Sequence, residues 1–155
     1  EKSTLKVAGA DITFLYPDHA LATDARVPGT SVDDSNEGSI VVRMDIQEIS
    51  FLLTADAEEA LEEYLTQTAS TTLDVDVYKV GHHGSDTSSN QAFVDMVTPL
   101  HSIISVGSDN SYGHPSTRVI RRLERAGSTM WRTDHHGDVH VTIDGGVLSI
   151  QTQKE

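Results

Sequence analysis

Val75-Asp76-Val77-Tyr78-Lys79-Val80 is followed at once by Gly81-His82-His83-Gly84-Ser85, and this junction carries more information than any other part of the chain. The near-continuous apolar character of residues 75–80 predicts a strand in a central position of a sheet. The two glycines let the backbone turn sharply and approach a ligand closely. Histidines at the end of a rigid strand are well placed to bind a metal. A polar surface turn that contains two histidines by chance is the alternative.

The length and composition predict one soluble globular domain that covers residues 1–155. A chain of 155 residues is long enough to bury a substantial core. Hydrophobic residues make up 37% of the chain and charged residues 23%, which is ordinary for such a protein. The apolar runs are far too short to span a membrane.

The net charge of -13 argues against a protein that coats nucleic acid by bulk attraction. It does not exclude an enzyme that meets phosphates through a bound metal, because the ion supplies local positive charge. The chain has no cysteine, which excludes disulfides, thiolate zinc sites and cysteine nucleophiles. Histidine and carboxylate would therefore hold any metal, and they suit zinc, manganese or iron.

Strand and helix patterns alternate along the chain and predict an α/β layered sandwich. Strands are expected at residues 5–7, 12–16, 39–44, 49–54, 75–80, 102–106, 129–132, 139–143 and 147–151. Helices are expected at residues 57–67, 90–97 and 116–126, with Ser116 as the N-cap of the last. The polar, turn-rich residues 18–38 are expected to form a long loop.

Two further positions are candidates for metal or phosphate chemistry. Asp56 follows the apolar strand at residues 49–54, where its carboxylate would bind one metal or bridge two. The competing interpretation is an N-cap for the next helix. His114 lies in a loop before a helix N-terminus, where it would bind metal, protonate a leaving group or contact a phosphate. A plain turn histidine is the alternative there.

Two other groups of residues favour structural interpretations. Arginines at helical spacing form one basic stripe, the only concentrated positive region of an acidic chain: Arg118, Arg121, Arg122 and Arg125. Such a stripe is usually a solvated face, but it is where a polyanion would bind. Asp134, His135 and His136 would make a catalytic pair or, more commonly, an acidic hairpin turn.

Taken in order, these segments resemble the metallo-β-lactamase superfamily, and within it the C-terminal extracytoplasmic domain of ComEC-type competence proteins. The resemblance covers nearly the whole chain. It lies in residues 34–39 (Asp-Ser-Asn-Glu-Gly-Ser), 51–56 (Phe-Leu-Leu-Thr-Ala-Asp), 79–85 (Lys-Val-Gly-His-His-Gly-Ser), 104–107 (Ile-Ser-Val-Gly), 112–116 (Tyr-Gly-His-Pro-Ser) and 132–134 (Arg-Thr-Asp).

The resemblance implies a metallo-β-lactamase-like αββα sandwich, with two sheets face to face and helices outside. It also implies a metal-dependent hydrolase of phosphodiester bonds, a DNA nuclease linked to DNA uptake, with two divalent ions, zinc or manganese. Asp56 and one or both of His82 and His83 would hold the ions, and His83 and His114 would act in catalysis. The residues expected near the substrate phosphate are Ser85, Tyr112, His114, Ser116, Arg118 and Arg122.

Two departures from the family pattern qualify this picture. Ala55 stands where the family usually has glycine before the aspartate, which tightens the turn but removes no ligand. The superfamily motif His-x-His-x-Asp-His is absent, so the chain is expected to be the C-terminal half of the domain. Its partners would then be DNA and a missing N-terminal half, supplied by another segment or chain.

The expected location is extracytoplasmic, tethered to a membrane channel domain. The alternatives for function are a hydrolase of another phosphodiester or ester, or a metal-free binding module with the same fold.

Overall fold

The computed structural model describes residues 3–18 and 35–154, which form a mixed α/β fold around one large sheet. Seven strands make the sheet, in chain order from edge to edge: β1 (Thr4–Val7), β2 (Ala10–Tyr16), β3 (Val41–Ile46), β4 (Ile49–Leu53), β5 (Val77–Lys79), β6 (His101–Ile104) and β7 (Thr129–Arg132). A separate hairpin follows: β8 (Val139–Asp144) and β9 (Val147–Thr152). The helices are α1 (Glu59–Thr68), α2 (Gln91–Val97), α3 (Thr117–Arg125) and the short α4 (Thr133–His136).

The sheet has an antiparallel half and a parallel half that meet at β4. Strands β1 to β4 pair antiparallel, whereas β4, β5, β6 and β7 pair parallel. Parallel neighbours need a crossover connection, and α1, α2 and α3 supply the three that this half requires. The loops that follow β4, β5, β6 and β7 therefore emerge at the same edge of the sheet.

The strand and helix predictions are confirmed in type and order, with shifts at the ends. The strand expected at residues 75–80 is only Val77–Lys79 long, and it lies between β4 and β6 as its apolar character predicts. The acidic hairpin turn expected at Asp134 is instead the short helix α4. Of the loop expected at 18–38, Asn36–Gly38 form a 3-10 turn, and residues 19–34, with Asp34, lie outside the described residues.

Helices α1, α2 and α3 cover one face of the sheet and form the core with it. Leu52, Tyr78 and Ile104 point from the strands into this core and are fully buried. The helices contribute buried apolar side chains at helical spacing: Leu61 and Leu65 from α1, Phe93, Val94 and Val97 from α2, and Val119 and Leu123 from α3. This packing fixes where each parallel strand ends.

The opposite face of the sheet is apolar but incompletely buried. Residues directly opposite each other in the strand register share a face. By this register the face carries Ile12, Phe14, Val42, Met44, Phe51, Leu53 and Ile103, each of which is only partly buried. The β8–β9 hairpin touches the β3–β4 turn, where Gly146 N donates to Gln47 Oε1.

Among the described helices, none has the length and apolar character needed to cross a bilayer.

Replacement of Leu61 by alanine should lower the free energy of unfolding by about 2–5 kcal/mol, because it leaves a cavity in a fully buried position. The matched control is Leu100→Ala at a side chain that is 61% exposed, which should change stability by less than about 0.5 kcal/mol. Urea denaturation of both variants measures the difference. Equal effects of the two substitutions would contradict the assignment of α1 to the core.

Candidate functional site

The loops at the carboxyl edge of the parallel strands bring the predicted ligands together. Asp56 follows β4, the pair His82 and His83 follows β5, and His114 follows β6. These four side chains and Tyr112 line one cavity of about 270 Å³. Open α/β sheets bind ligands at this edge, outside the carboxyl ends of their strands. Groups that are 26 or more positions apart in the chain, such as Asp56 and His82, thus share one site.

The distances show how closely the rings approach. The ring centroids of His82 and His114 are 5.8 Å apart, and those of His82 and His83 are 6.5 Å apart. His83 Nε2 lies 3.8 Å from Asp56 Oδ1. The competing interpretation of Asp56 as a helix N-cap is wrong, because the N-cap of α1 is Glu58. Glu37 stabilises that helix start instead: its carboxylate accepts from Ala60 N at 3.1 Å and from Leu61 N at 2.6 Å.

Both histidines of the β5 loop lie in the left-handed backbone region, with φ of 44° at His82 and 54° at His83. This conformation costs roughly 1–2 kcal/mol for a residue with a side chain. Ala55, at φ 48°, is in the same region, which explains why glycine suits this position. Two backbone hydrogen bonds hold the loop: His82 N donates to Ala55 O at 3.0 Å, and Ser85 N donates to His82 O at 2.8 Å.

Gly84 lets the β5 loop touch the β6 loop. A Cβ at this glycine would lie 2.7 Å from Pro115 Cβ, closer than carbon atoms approach, and its φ is +81°. Ser116 N donates to Gly84 O at 2.8 Å and fixes the same contact. Because Pro115 follows His114 directly, this close approach is what sets the His114 ring beside His82.

The hydrogen bond of His83 defines which of its ring atoms is free for a ligand. Its Nδ1 lies 2.7 Å from Ser105 O. A carbonyl oxygen only accepts hydrogen bonds, so Nδ1 carries the proton. In the neutral ring, Nε2 then has a lone pair on the side of Asp56. A backbone carbonyl that orients a histidine in this way is typical of metal-binding imidazoles.

Two ring nitrogens in the cavity are buried without a hydrogen bond: Nδ1 of His82 and Nδ1 of His114. Glu58 Oε1 lies 2.9 Å from His82 Nδ1, within ion-pair distance, but it is out of line for a hydrogen bond. Buried polar atoms normally have a partner, so these two leave hydrogen-bonding capacity unused within the residues that line the cavity. Imidazole nitrogen and carboxylate oxygen suit zinc and manganese in chemical type.

The donors fit a metal ion in type but form only part of a coordination shell. In residues 3–18 and 35–154, no three histidine or carboxylate side chains converge closely enough to hold a metal ion by themselves. Burial lowers the pKa of His114, and the neighbouring His82 and His83 lower it further, against a weaker opposing effect of Asp86. The His114 ring is therefore favoured in its neutral form, in which a nitrogen lone pair is available.

The other residues expected near a phosphate have internal contacts and lie outside the lining of the histidine cavity. Ser85 is buried and bonds Thr87 Oγ1 at 2.9 Å. Ser116 is the N-cap of α3, as predicted, and accepts from Val119 N at 3.3 Å.

Arg118 is exposed and lies 3.7 Å from Asp86. Arg122 donates to the carbonyl oxygens of residues 88 and 89, both at 3.0 Å.

A buried polar network adjoins the β5 loop, residues 81–85, and it was not predicted from the sequence. Glu62 is fully buried in α1 and accepts from Ser89 N at 2.5 Å and from Asn90 N at 2.8 Å. Tyr78 Oη bonds Ser89 Oγ at 2.9 Å and accepts from Gly81 N at 3.2 Å. The sequence signal was a charged residue on the apolar side of a helix pattern. This network fixes both ends of the segment that carries His82 and His83.

Comparison with known proteins relates the chain to competence proteins. It is 34% identical to ComE operon protein 3 of Bacillus subtilis over 121 residues, which are 78% of this chain and 15% of that protein. It is 31% identical to Competence protein ComA of Neisseria gonorrhoeae over 143 residues, 92% of this chain and 19% of that protein. It is 37% identical to Recombination protein 2 of Haemophilus influenzae over 116 residues, 75% of this chain and 14% of that protein.

These matches indicate a relationship to the competence-related ComEC proteins, at moderate identity. The chain spans less than a fifth of the length of each of these curated relatives, which places the similarity in one segment of much longer proteins. No protein-family profile matches the chain.

Replacement of Glu62 by glutamine should change how stability depends on pH. Burial raises the pKa of Glu62 from 4.5 to about 7, against the opposing effects of the Asn90 and Ser89 N–H groups and Arg122. The folded state thus favours the protonated carboxyl, a contribution that is complete below pH 4.5 and is lost as pH rises through about 7. From pH 4.5 to 8 the wild type should lose on the order of 3 kcal/mol relative to Glu62→Gln.

Urea denaturation at several pH values measures this difference. The matched control is Glu63→Gln at the exposed neighbouring position, whose stability profile should run parallel to that of the wild type. A Glu62→Gln profile that is parallel to the wild type as well would show that burial does not hold this carboxyl protonated.

Proposed function

We propose that this chain acts in competence as part of a metal-dependent hydrolase that cleaves phosphodiester bonds of DNA during uptake. The observation that carries the proposal is the cavity in which Asp56, His82, His83 and His114 meet, with two buried ring nitrogens that have no hydrogen bond. The relatives named Competence protein ComA and Recombination protein 2 support the DNA context.

Each side chain of the cavity has a role in this proposal. His83 Nε2 and Asp56 would hold a divalent cation, zinc or manganese, and Ser105 O would keep the His83 ring in the required tautomer. The cation would polarise a phosphoryl oxygen and lower the pKa of water toward about 7. His114, favoured as the neutral imidazole, would accept a proton from the attacking water and return it to the leaving oxygen. His82 would complete the shell or orient it beside Glu58.

The incompletely buried face of the sheet supports an αββα sandwich whose second sheet is mostly supplied from elsewhere. Contiguous apolar side chains at a surface are typical of an interaction site. Here they extend over β2, β3 and β4, and the β8–β9 hairpin is the part of a second sheet that the described residues contain. A segment with the His-x-His-x-Asp-His motif would cover this face and complete the metal shell.

A metal-free binding module is the second candidate. It is favoured by the observation that no three potential ligands converge within residues 3–18 and 35–154. Metal analysis of the protein that includes the segment with the remaining ligands discriminates the two, because a hydrolase of the proposed kind would retain zinc or manganese and a binding module would retain neither.

Hydrolysis of DNA and of bis-p-nitrophenyl phosphate should depend on Asp56 and His83. In the protein that includes the segment with the remaining ligands, Asp56→Ala and His83→Asn should each lower kcat/KM by more than about 100-fold, beyond the usual effect of an outer-shell partner. Asparagine tolerates the left-handed backbone at residue 83, so this variant tests the imidazole itself. Assays with added manganese or zinc measure the loss.

The matched control is His140→Asn, at an exposed histidine of β8, which should leave kcat/KM unchanged. Hydrolysis at the wild-type rate in both site variants would contradict the proposed function.

If the substrate is DNA, we expect the exposed arginines of α3 to contribute to binding its phosphates. Arg118→Glu should weaken DNA binding, reduce the slope of log K against log salt by about 1 or more, and leave hydrolysis of bis-p-nitrophenyl phosphate unchanged. Fluorescence anisotropy of labelled DNA at several salt concentrations measures the slope. The same loss on the small ester would favour a hydrolase of another ester over a nuclease.

A further inference from the structure

A second cavity of about 200 Å³ adjoins the one that holds the histidines, and the surface that its lining residues expose to it is mainly apolar. It is formed by Val106, Gly107, Asn110, His83, Tyr112 and His114. The last three of these side chains also line the first cavity. The two cavities thus share one wall, and a molecule with two joined parts would reach both.

Tyr112 is the prominent feature of this wall. Its side chain is 81% exposed, the largest exposure among the large hydrophobic residues that the structure describes. Its ring stacks on His114, with the planes inclined by 16° and the centroids 5.8 Å apart. An aromatic ring that is ordered by stacking yet open to water is suited to contact a flat ligand.

The loop that presents Tyr112 is held in place by Asn110. The Asn110 amide nitrogen donates to Gly107 O at 2.8 Å and to His114 O at 2.9 Å, and its oxygen accepts from His114 N at 3.0 Å. Gly107 adds no side chain that would fill the cavity, and a Cβ there would meet nothing within 4 Å. The Tyr112 ring and one wall of the cavity therefore both belong to the turn that Asn110 holds in place.

We propose that Tyr112, His114 and Val106 form a subsite for one unpaired nucleobase of a single-stranded nucleic acid. A nucleotide joins a flat, aromatic base to a phosphate through a sugar, which matches an apolar cavity beside the site proposed for the phosphate. Stacking on an aromatic side chain requires a free base face, and a base inside a duplex has none. This inference rests on the proposed function, because it places the phosphate in the histidine cavity.

The test compares binding of two labelled strands with equal numbers of phosphates, one an oligothymidylate and the other abasic. Fluorescence anisotropy in EDTA measures affinity without metal and without cleavage. The wild type should bind the base-bearing strand about tenfold more tightly than the abasic strand, since stacking on one aromatic ring is worth about that factor. Tyr112→Ala should reduce this ratio to about one, and Tyr112→Phe, which keeps the ring, should preserve it.

The control variant is Leu100→Ala, an exposed apolar residue before β6 at the opposite edge of the sheet, which should keep the wild-type ratio. Equal affinity of the wild type for both strands, no measurable binding of either, or an unchanged ratio in Tyr112→Ala would each overturn the inference. A preserved base preference in a protein that fails to hydrolyse phosphodiesters contradicts the proposed function alone.

Discussion

At Gly84 the loop after β5 meets the loop after β6 with no side chain between them, because a Cβ there would lie 2.7 Å from Pro115 Cβ. The parallel pairing of β5 with β6 brings these loops to one edge. The close approach at Gly84, the Ser116 N–Gly84 O hydrogen bond and the Asn110 bonds to His114 together hold the His114 ring at 5.8 Å from His82. The site therefore depends on a backbone approach that glycine permits as well as on hydrogen bonds.

The β5 loop also shows how hydrogen bonds from buried side chains stabilise a strained backbone segment. Two consecutive residues with side chains in the left-handed region cost roughly 2–4 kcal/mol together. The buried Glu62 carboxyl group and the Tyr78 hydroxyl accept hydrogen bonds from the backbone N–H groups of Gly81, Ser89 and Asn90, on either side of the strained pair. Such strain persists where the surroundings over-determine the conformation, as they do here.

Local patterns in the sequence predicted the type and order of the elements, and they predicted which loops carry Asp56, His82, His83 and His114 to one edge of the sheet. They did not separate these residues from Ser85, Ser116, Arg118 and Arg122, which lie outside the lining of the cavity. Apolar periods identified the strands and helices, and strand ends followed by Asp56, His82 or His114 identified the edge where they meet. Contacts between distant residues were not predictable, because they depend on how helices pack. Glu37 capping α1 across 23 positions and Arg122 binding the carbonyls near residue 89 are examples. Asp56 and Arg122 differ in outcome: Asp56 lines the cavity and does not cap α1, whereas Arg122, expected near the substrate, donates to backbone carbonyls of the protein instead.

The partly buried apolar face of the sheet affects how copies of this chain behave towards each other. Such a face favours self-association, and the net charge of -13 opposes it through repulsion between like-charged molecules. Salt screens that repulsion, so higher ionic strength shifts the balance toward dimers and larger aggregates. The acidic composition thus opposes association through this partly buried apolar face.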